Sequence, residues 1–217
     1  MSSSASTVTY ATPAHGDVHR PMPGARNNEW LGMVLFLLSE AIIFGAIFAQ
    51  YFYVRTQQPT WPPFGAERVP AAPLALGLTV ILGLSGFTAH WAQTAARRDD
   101  QESLRAWLAV TIALGVVFLV GQGVEYSSLL AGQGLFGEAG RAPLGINSGI
   151  YGSVFFTLTG LHGLHVTGGV IALSVVLGRA LMNHFTPSNH FAVEGTILYW
   201  HFVDVVWFVL YLAVYLM

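Results

Sequence analysis

Five long apolar stretches, separated by short polar ones, leave this chain few ways to fold. They cover about residues 30–54, 72–96, 104–130, 149–182 and 193–216. Each matches or exceeds the about 20 mostly apolar residues that cross a ~30 Å hydrocarbon core. None alternates with period two in the short segments of a membrane β-barrel. The reading is therefore all-α: an integral membrane bundle of five transmembrane helices over 30–217, preceded by a flexible tail over 1–29. Charge agrees, since only 9% of residues are charged, against roughly 25% in soluble domains. All nine basic residues are arginine and the net charge is −2, so no basic face suits a nucleic acid. Cysteine is absent, which excludes disulfides, cysteine-ligated zinc, iron–sulfur clusters and thiol catalysis. No lysine-bearing phosphate loop, Gly-x-Ser-x-Gly elbow or HExxH motif occurs.

The arginines suggest an orientation. Arg20, Arg26, Arg97, Arg98, Arg105 and Arg179 fall on the side of the N-terminal tail, and Arg55, Arg68 and Arg141 on the other. Arginine excess marks the cytoplasmic side, which places the N-terminus in the cytoplasm and the C-terminus outside. The tail holds no apolar run and does not read as a cleavable signal peptide. The loop after the first span carries Trp61, Pro62 and Pro63, a stiff segment whose aromatic ring suits the headgroup region. Glycines are frequent in the spans, above all the fourth, where small residues permit close helix approach.

Ionisable residues inside a span are functional candidates, because their burial is costly. Glu40 lies ten residues past Trp30, roughly 15 Å deep at 1.5 Å per residue. It must be protonated or paired. Asp204 sits at similar depth with His201 three residues before it, on the same helical face. His162 and His165 are also three apart, and with His90 and His201 they fall at comparable depth. Imidazoles suit haem, copper or zinc, or simply interhelical hydrogen bonds. Glu125 lies far along the third span, where it could reach headgroups or water. From the residues alone, a bundle inside a larger complex, a b-type cytochrome and a proton transporter all stay open.

Several strings resemble one family in order along the chain. Leu31-Gly-Met-Val-Leu-Phe-Leu-Leu-Ser-Glu40 leads to Phe44. Trp61-Pro62-Pro63 follows, then Glu125-Tyr126. Tyr151-Gly-Ser-Val-Phe-Phe-Thr-Leu-Thr-Gly-Leu-His162-Gly-Leu-His165 comes next. Asn189-His190-Phe precedes Tyr199-Trp-His201-Phe-Val-Asp204-Val-Val-Trp207. Together they look like subunit III of the haem–copper terminal oxidases, in a five-span bacterial form that lacks the first two of the long form's seven helices.

The resemblance implies a non-catalytic subunit of a cytochrome c oxidase in the bacterial inner membrane. A quinol oxidase subunit or a nitric-oxide-reductase-associated homologue is the alternative within the family. No cofactor is expected in this chain; haem and copper would lie in partner subunits. Subunit I would pack directly on it, with subunit II and a small subunit IV in the same complex. The implied roles are to stabilise the catalytic subunit, bind structural phospholipids, and support proton uptake and dioxygen access. Carried over by position, Glu40 is the family's intramembrane carboxyl, and Trp61 and Arg179 are lipid contacts. His162, His165, His201, Asp204 and Glu125 become intramembrane polar contacts.

Overall fold

The computed structural model describes residues 25–63, 73–132, 143–186 and 190–216. Five helices fill these residues: α1 (Ala25–Thr56), α2 (Pro73–Arg97), α3 (Gln101–Leu130), α4 (Gly149–Leu181) and α5 (Phe191–Leu210). Each is long and apolar enough to cross a membrane. The last turns of α5 loosen into a π-helical segment, Tyr211–Leu216. Residues 1–24 lie outside the described set. α1 starts at Ala25, inside the stretch assigned to the tail from sequence. Polar Asn28 and Glu29 are exposed there, so they carry no burial penalty in the helix.

Helices α2 to α5 close a ring in which α2 packs on α3, α3 on α4, α4 on α5, and α5 back on α2. α1 lies outside that ring, against α4 and α5. Its inner edge, Phe44, Tyr51 and Val54, is buried, while Leu31, Leu35, Leu38, Ile42 and Phe52 stay exposed.

Two tryptophans of α5 organise the ring. Trp200 and Trp207 are fully buried. The Trp200 indole enters a slot between α3 and α4. A Cβ added to Gly115 would stand 2.7 Å from its Cη2, and one on Gly169 would stand 2.7 Å from its Cε3. Trp200 Nε1 donates to Ser85 Oγ at 3.0 Å, and Trp207 Nε1 donates to Thr79 Oγ1 at 3.0 Å. Both hydroxyls donate onward to carbonyls of their own helix, Leu82 and Ala75. Every hydrogen of these two bridges between α5 and α2 is therefore used, as a lipid-embedded bundle requires.

The chain reversals are short because their ends are capped. After α2, the Asp100 N–H donates to Ala95 O and the Asp99 N–H to Ala96 O, with Asp99 at φ 59°. After α4, the His184 N–H donates to Arg179 O and the Asn183 N–H to Ala180 O, with Asn183 at φ 57°. Both are Schellman ends built on Asp or Asn, which tolerate the left-handed region better than bulkier residues do. Asp100 then caps α3, its Oδ1 accepting from the Ser103 N–H at 3.0 Å. Hydrogen bonds from Ser103 hold the Asp100 carboxyl below its ordinary value. Arg105 reaches from α3 to Ala180 O and Asn183 Oδ1, which ties down the end of α4.

Trp200→Ala is expected to cost about 3–5 kcal/mol, the usual range for emptying a buried aromatic site. Trp200→Phe, which fills most of the slot but leaves Ser85 without its donor, is expected to cost clearly less. Denaturant unfolding of the purified chain in micelles measures both; equal stability of Trp200→Ala and the parent removes Trp200 as the ring's wedge.

Candidate functional site

Glu40 sits on the inner edge of α1, and its partner comes from α4. Glu40 Oε2 lies 2.8 Å from His165 Nε2, with the two side chains 17% and 13% exposed. His165 Nδ1 is 2.8 Å from Leu161 O. That carbonyl can only accept, so Nδ1 carries a hydrogen. Nε2 then either accepts from a protonated carboxyl or is itself protonated beside a carboxylate. In both forms the pair shares one proton and is neutral overall. Phe44 meets the imidazole edge-on at 4.8 Å, and the Tyr199 hydroxyl donates to His165 O at 3.1 Å. Beside this pair, α1, α4 and α5 enclose an open groove of about 370 Å³. Met33, Phe36, Gly168, Ala172, Gly195 and Tyr199 line most of it.

His162 is three residues from His165 but turns inward. It is fully buried, and neither ring nitrogen has a hydrogen-bond partner among the described residues. It packs instead against Trp207 at 4.9 Å and Phe118 at 5.7 Å. The interhelical hydrogen bond foreseen for it is not formed. Thr159, one turn away, carries the α3–α4 bonding. Gln122 Nε2 donates to Thr159 O at 2.8 Å, and the Tyr126 and Thr159 hydroxyls are 2.6 Å apart. Gly163 leaves room for that amide, since a Cβ there would stand 2.8 Å from Gln122 Oε1.

Glu125 is not at headgroups or water, where its position along α3 had suggested. It is buried, and the Tyr215 hydroxyl donates to its Oε2 at 3.0 Å. The π-helical end of α5 folds over it, a contact between residues 90 apart in sequence. Asp204 lies on the α2–α5 seam, where Gly86 makes space: a Cβ there would be 2.6 Å from Asp204 Oδ2. His201 Nδ1 is 3.8 Å from that oxygen, beyond hydrogen-bond reach. Asp204 Oδ1 is buried with no partner. His90 is exposed on α2.

Trp61 is held by protein: its ring meets Tyr51 at 5.6 Å and Tyr151 at 5.4 Å, both near edge-on. Arg179 is exposed at the end of α4, with its guanidinium 5.0 Å over the Phe185 ring. One further site escaped the sequence reading. Buried Glu194 accepts from Arg97 Nε at 2.9 Å and lies 3.4 Å from His190 Nε2. This cluster locks the start of α5 to the end of α2. Its signal was available in part, because His190 and Glu194 are one helical turn apart and Glu194 opens an apolar run.

The four histidines do not converge. His162 faces the bundle interior, His165 faces α1, and His90 and His201 lie on the α2–α5 side. Among the described residues no group of three or more His, Cys, Asp and Glu could hold a metal ion.

A family model described as cytochrome c oxidase subunit III matches residues 22–217. Cytochrome c oxidase subunit 3 of Synechocystis sp. is 38% identical over 208 residues, covering 95% of this chain and 82% of that protein. A probable cytochrome c oxidase subunit 3 of Mycobacterium leprae is 39% identical over 186 residues, covering 85% and 86%. The Sus scrofa cytochrome c oxidase subunit 3 is 41% identical over 192 residues, covering 85% and 67%. The match spans all five membrane-crossing helices and the residues of the Glu40–His165 pair. With its fold and its motifs in agreement, the chain belongs to the cytochrome c oxidase subunit III family.

Proposed function

We propose that this chain is a non-catalytic membrane subunit that steadies the catalytic core of a cytochrome c oxidase. The observation that carries this reading is the Glu40–His165 pair. It fastens the loosely packed α1 to the α2–α5 ring, as a scaffold needs, and each side chain is answered by the other. In this reading haem and copper reside in partner subunits, and subunit I packs directly on this chain. Subunit II and a small subunit IV complete the assembly. The N-terminal tail 1–29 lies in the cytoplasm of a bacterium, the chain spans the inner membrane, and the C-terminus faces outside.

Phospholipid is the second part of the proposal. Arg179 is an exposed guanidinium near the end of a span, suited to a phosphate. Trp61 sits beyond the end of α1, at the level of the opposite headgroups. The apolar groove beside Glu40 suits an acyl chain. Glu40 and Asp204 act as intramembrane carboxyls that support proton uptake by the neighbouring subunit, and lipid held along the chain offers dioxygen an apolar approach. Glu125, His162 and His165 serve as structural contacts in the same interior, and His201 as a structural contact beside Asp204.

Gentle purification of the native assembly is expected to bring this chain down with a haem–copper oxidase; migration alone counts against the proposal. Arg179→Ala is expected to lower co-purified phospholipid and hasten inactivation during turnover, and unchanged values of both remove Arg179 from the lipid contacts. Glu40→Leu strands His165 Nε2, whereas Glu40→Gln can keep the bond. An interhelical hydrogen bond in a membrane contributes about 0.6–1.7 kcal/mol, roughly three- to fifteenfold in an opening equilibrium. Hydrogen exchange across α1 should rise by that factor in Glu40→Leu and little in Glu40→Gln. If both variants exchange like the parent, the pair does not tether α1.

A further inference from the structure

The α2–α5 side of the bundle carries polar groups where a lipid-facing surface should have none. The two helices run antiparallel in a register set by three contacts. A Cβ on Gly83 would stand 3.3 Å from the Phe208 ring, one on Gly86 would stand 2.6 Å from Asp204 Oδ2, and Arg97 pairs with Glu194. That register puts His90 level with His201. His90 is exposed, and the His201 side chain is 38% exposed. Asp204, 8% exposed, lies just beneath, with Oδ1 unpartnered. Around them the surface is apolar: Val80 and Phe87 on α2, Val205 and Phe208 on α5. His201 is ten residues into α5, roughly 15 Å from its start and so deep in the hydrocarbon.

Lipid tails cannot hydrogen-bond an imidazole, and ionisable side chains within spans face protein or water. The outward face of α4 differs. On α4 the exposed hydroxyls of Thr157, Thr167 and Ser174 each donate to a carbonyl of their own helix. That face, with Leu164 and Ile171 exposed, is complete without a partner. The α2–α5 side is not: among the described residues His90 has no side-chain partner, and His201 has only the loose contact with Asp204.

We infer that the α2–α5 side, centred on His90 and His201, is where a transmembrane helix of another oxidase subunit docks. That helix presents a hydrogen-bonding side chain level with the two imidazoles. Val80, Phe87, Val205 and Phe208 supply the apolar contact around it. The inference rests on the subunit reading above and adds which side of the chain meets the partner.

The chain has no native cysteine, so single sites can be labelled cleanly. Phe87→Cys and Val205→Cys, each carrying a photoreactive maleimide, are illuminated in native membranes of cells expressing the whole oxidase; Leu164→Cys is the control face. Adducts to another oxidase subunit at Phe87 and Val205, at least about fivefold above Leu164, are expected. Adducts to lipid only, adducts to a second copy of this chain, or equal yields on the two faces overturn the assignment. Failure of the unlabelled chain to co-purify with a haem-bearing oxidase overturns the subunit reading, and the docking side with it. In the double variant His90→Leu, His201→Leu, loss of two interhelical hydrogen bonds should cut co-purified oxidase about five- to tenfold. Micellar unfolding of His90→Leu alone, which leaves the His201–Asp204 contact in place, should match that of the parent. Undiminished co-purification overturns the role of the imidazoles.

Discussion

The indole bridges from Trp200 and Trp207 to Ser85 and Thr79 are what the rest of this bundle depends on. In lipid there is no hydrophobic gain from bringing one apolar helix against another, so association comes from close packing and from satisfied polar groups. Each bridge supplies both. The Trp200 indole fills a slot that Gly115 and Gly169 leave open, Trp207 packs on Phe118 and His162, and each N–H finds an oxygen already bonded to its own helix backbone. Because both indoles start on α5 and end on α2, they close the ring of four helices. α3 and α4 are then positioned by the rings they must admit.

With the ring closed, the few ionisable groups sheltered within the fold are handled one at a time. Glu125 is sheltered by Tyr215, Glu194 by Arg97 and His190, and Glu40 by His165. Each of the three has at least one partner from another element, so the contact also fixes a helix position. α1 shows this most directly. Its packing against the ring is slight, and two directional contacts hold it: Glu40 on His165, and the Tyr51 hydroxyl donating to Ala213 O at 2.8 Å.

The departures from this pattern carry their own information. Buried His162 stands among aromatic rings with no polar partner, held by packing alone. Asp204 is half-answered by His201, and His201 and His90 open outward. On the outward surface, His90 and His201 are grouped on the α2–α5 side, whereas the exposed hydroxyls of α4 bond to their own helix.

Much of this was legible in the sequence. Apolar length dictates five helices, because a span must satisfy its own backbone. The strings around Glu40, His162 and Trp207 identify the family, since motif order survives without any knowledge of contacts. The depth of Glu40 and Asp204 follows from counting residues. Helix ends were less legible: α1 begins at Ala25, because polar residues cost nothing in a helix beyond the hydrocarbon. What only the tertiary structure decided is which residue answers which. His162 and His165 share a spacing, yet one turns inward and the other binds Glu40, because helix rotation is set by packing against neighbours. Glu125 is buried because a segment 90 residues later folds over it. Glu194 meets Arg97 across two helices. Local spacing constrains which groups share a face, while the choice of partner is settled by how the helices rotate to fit Trp200 and Trp207.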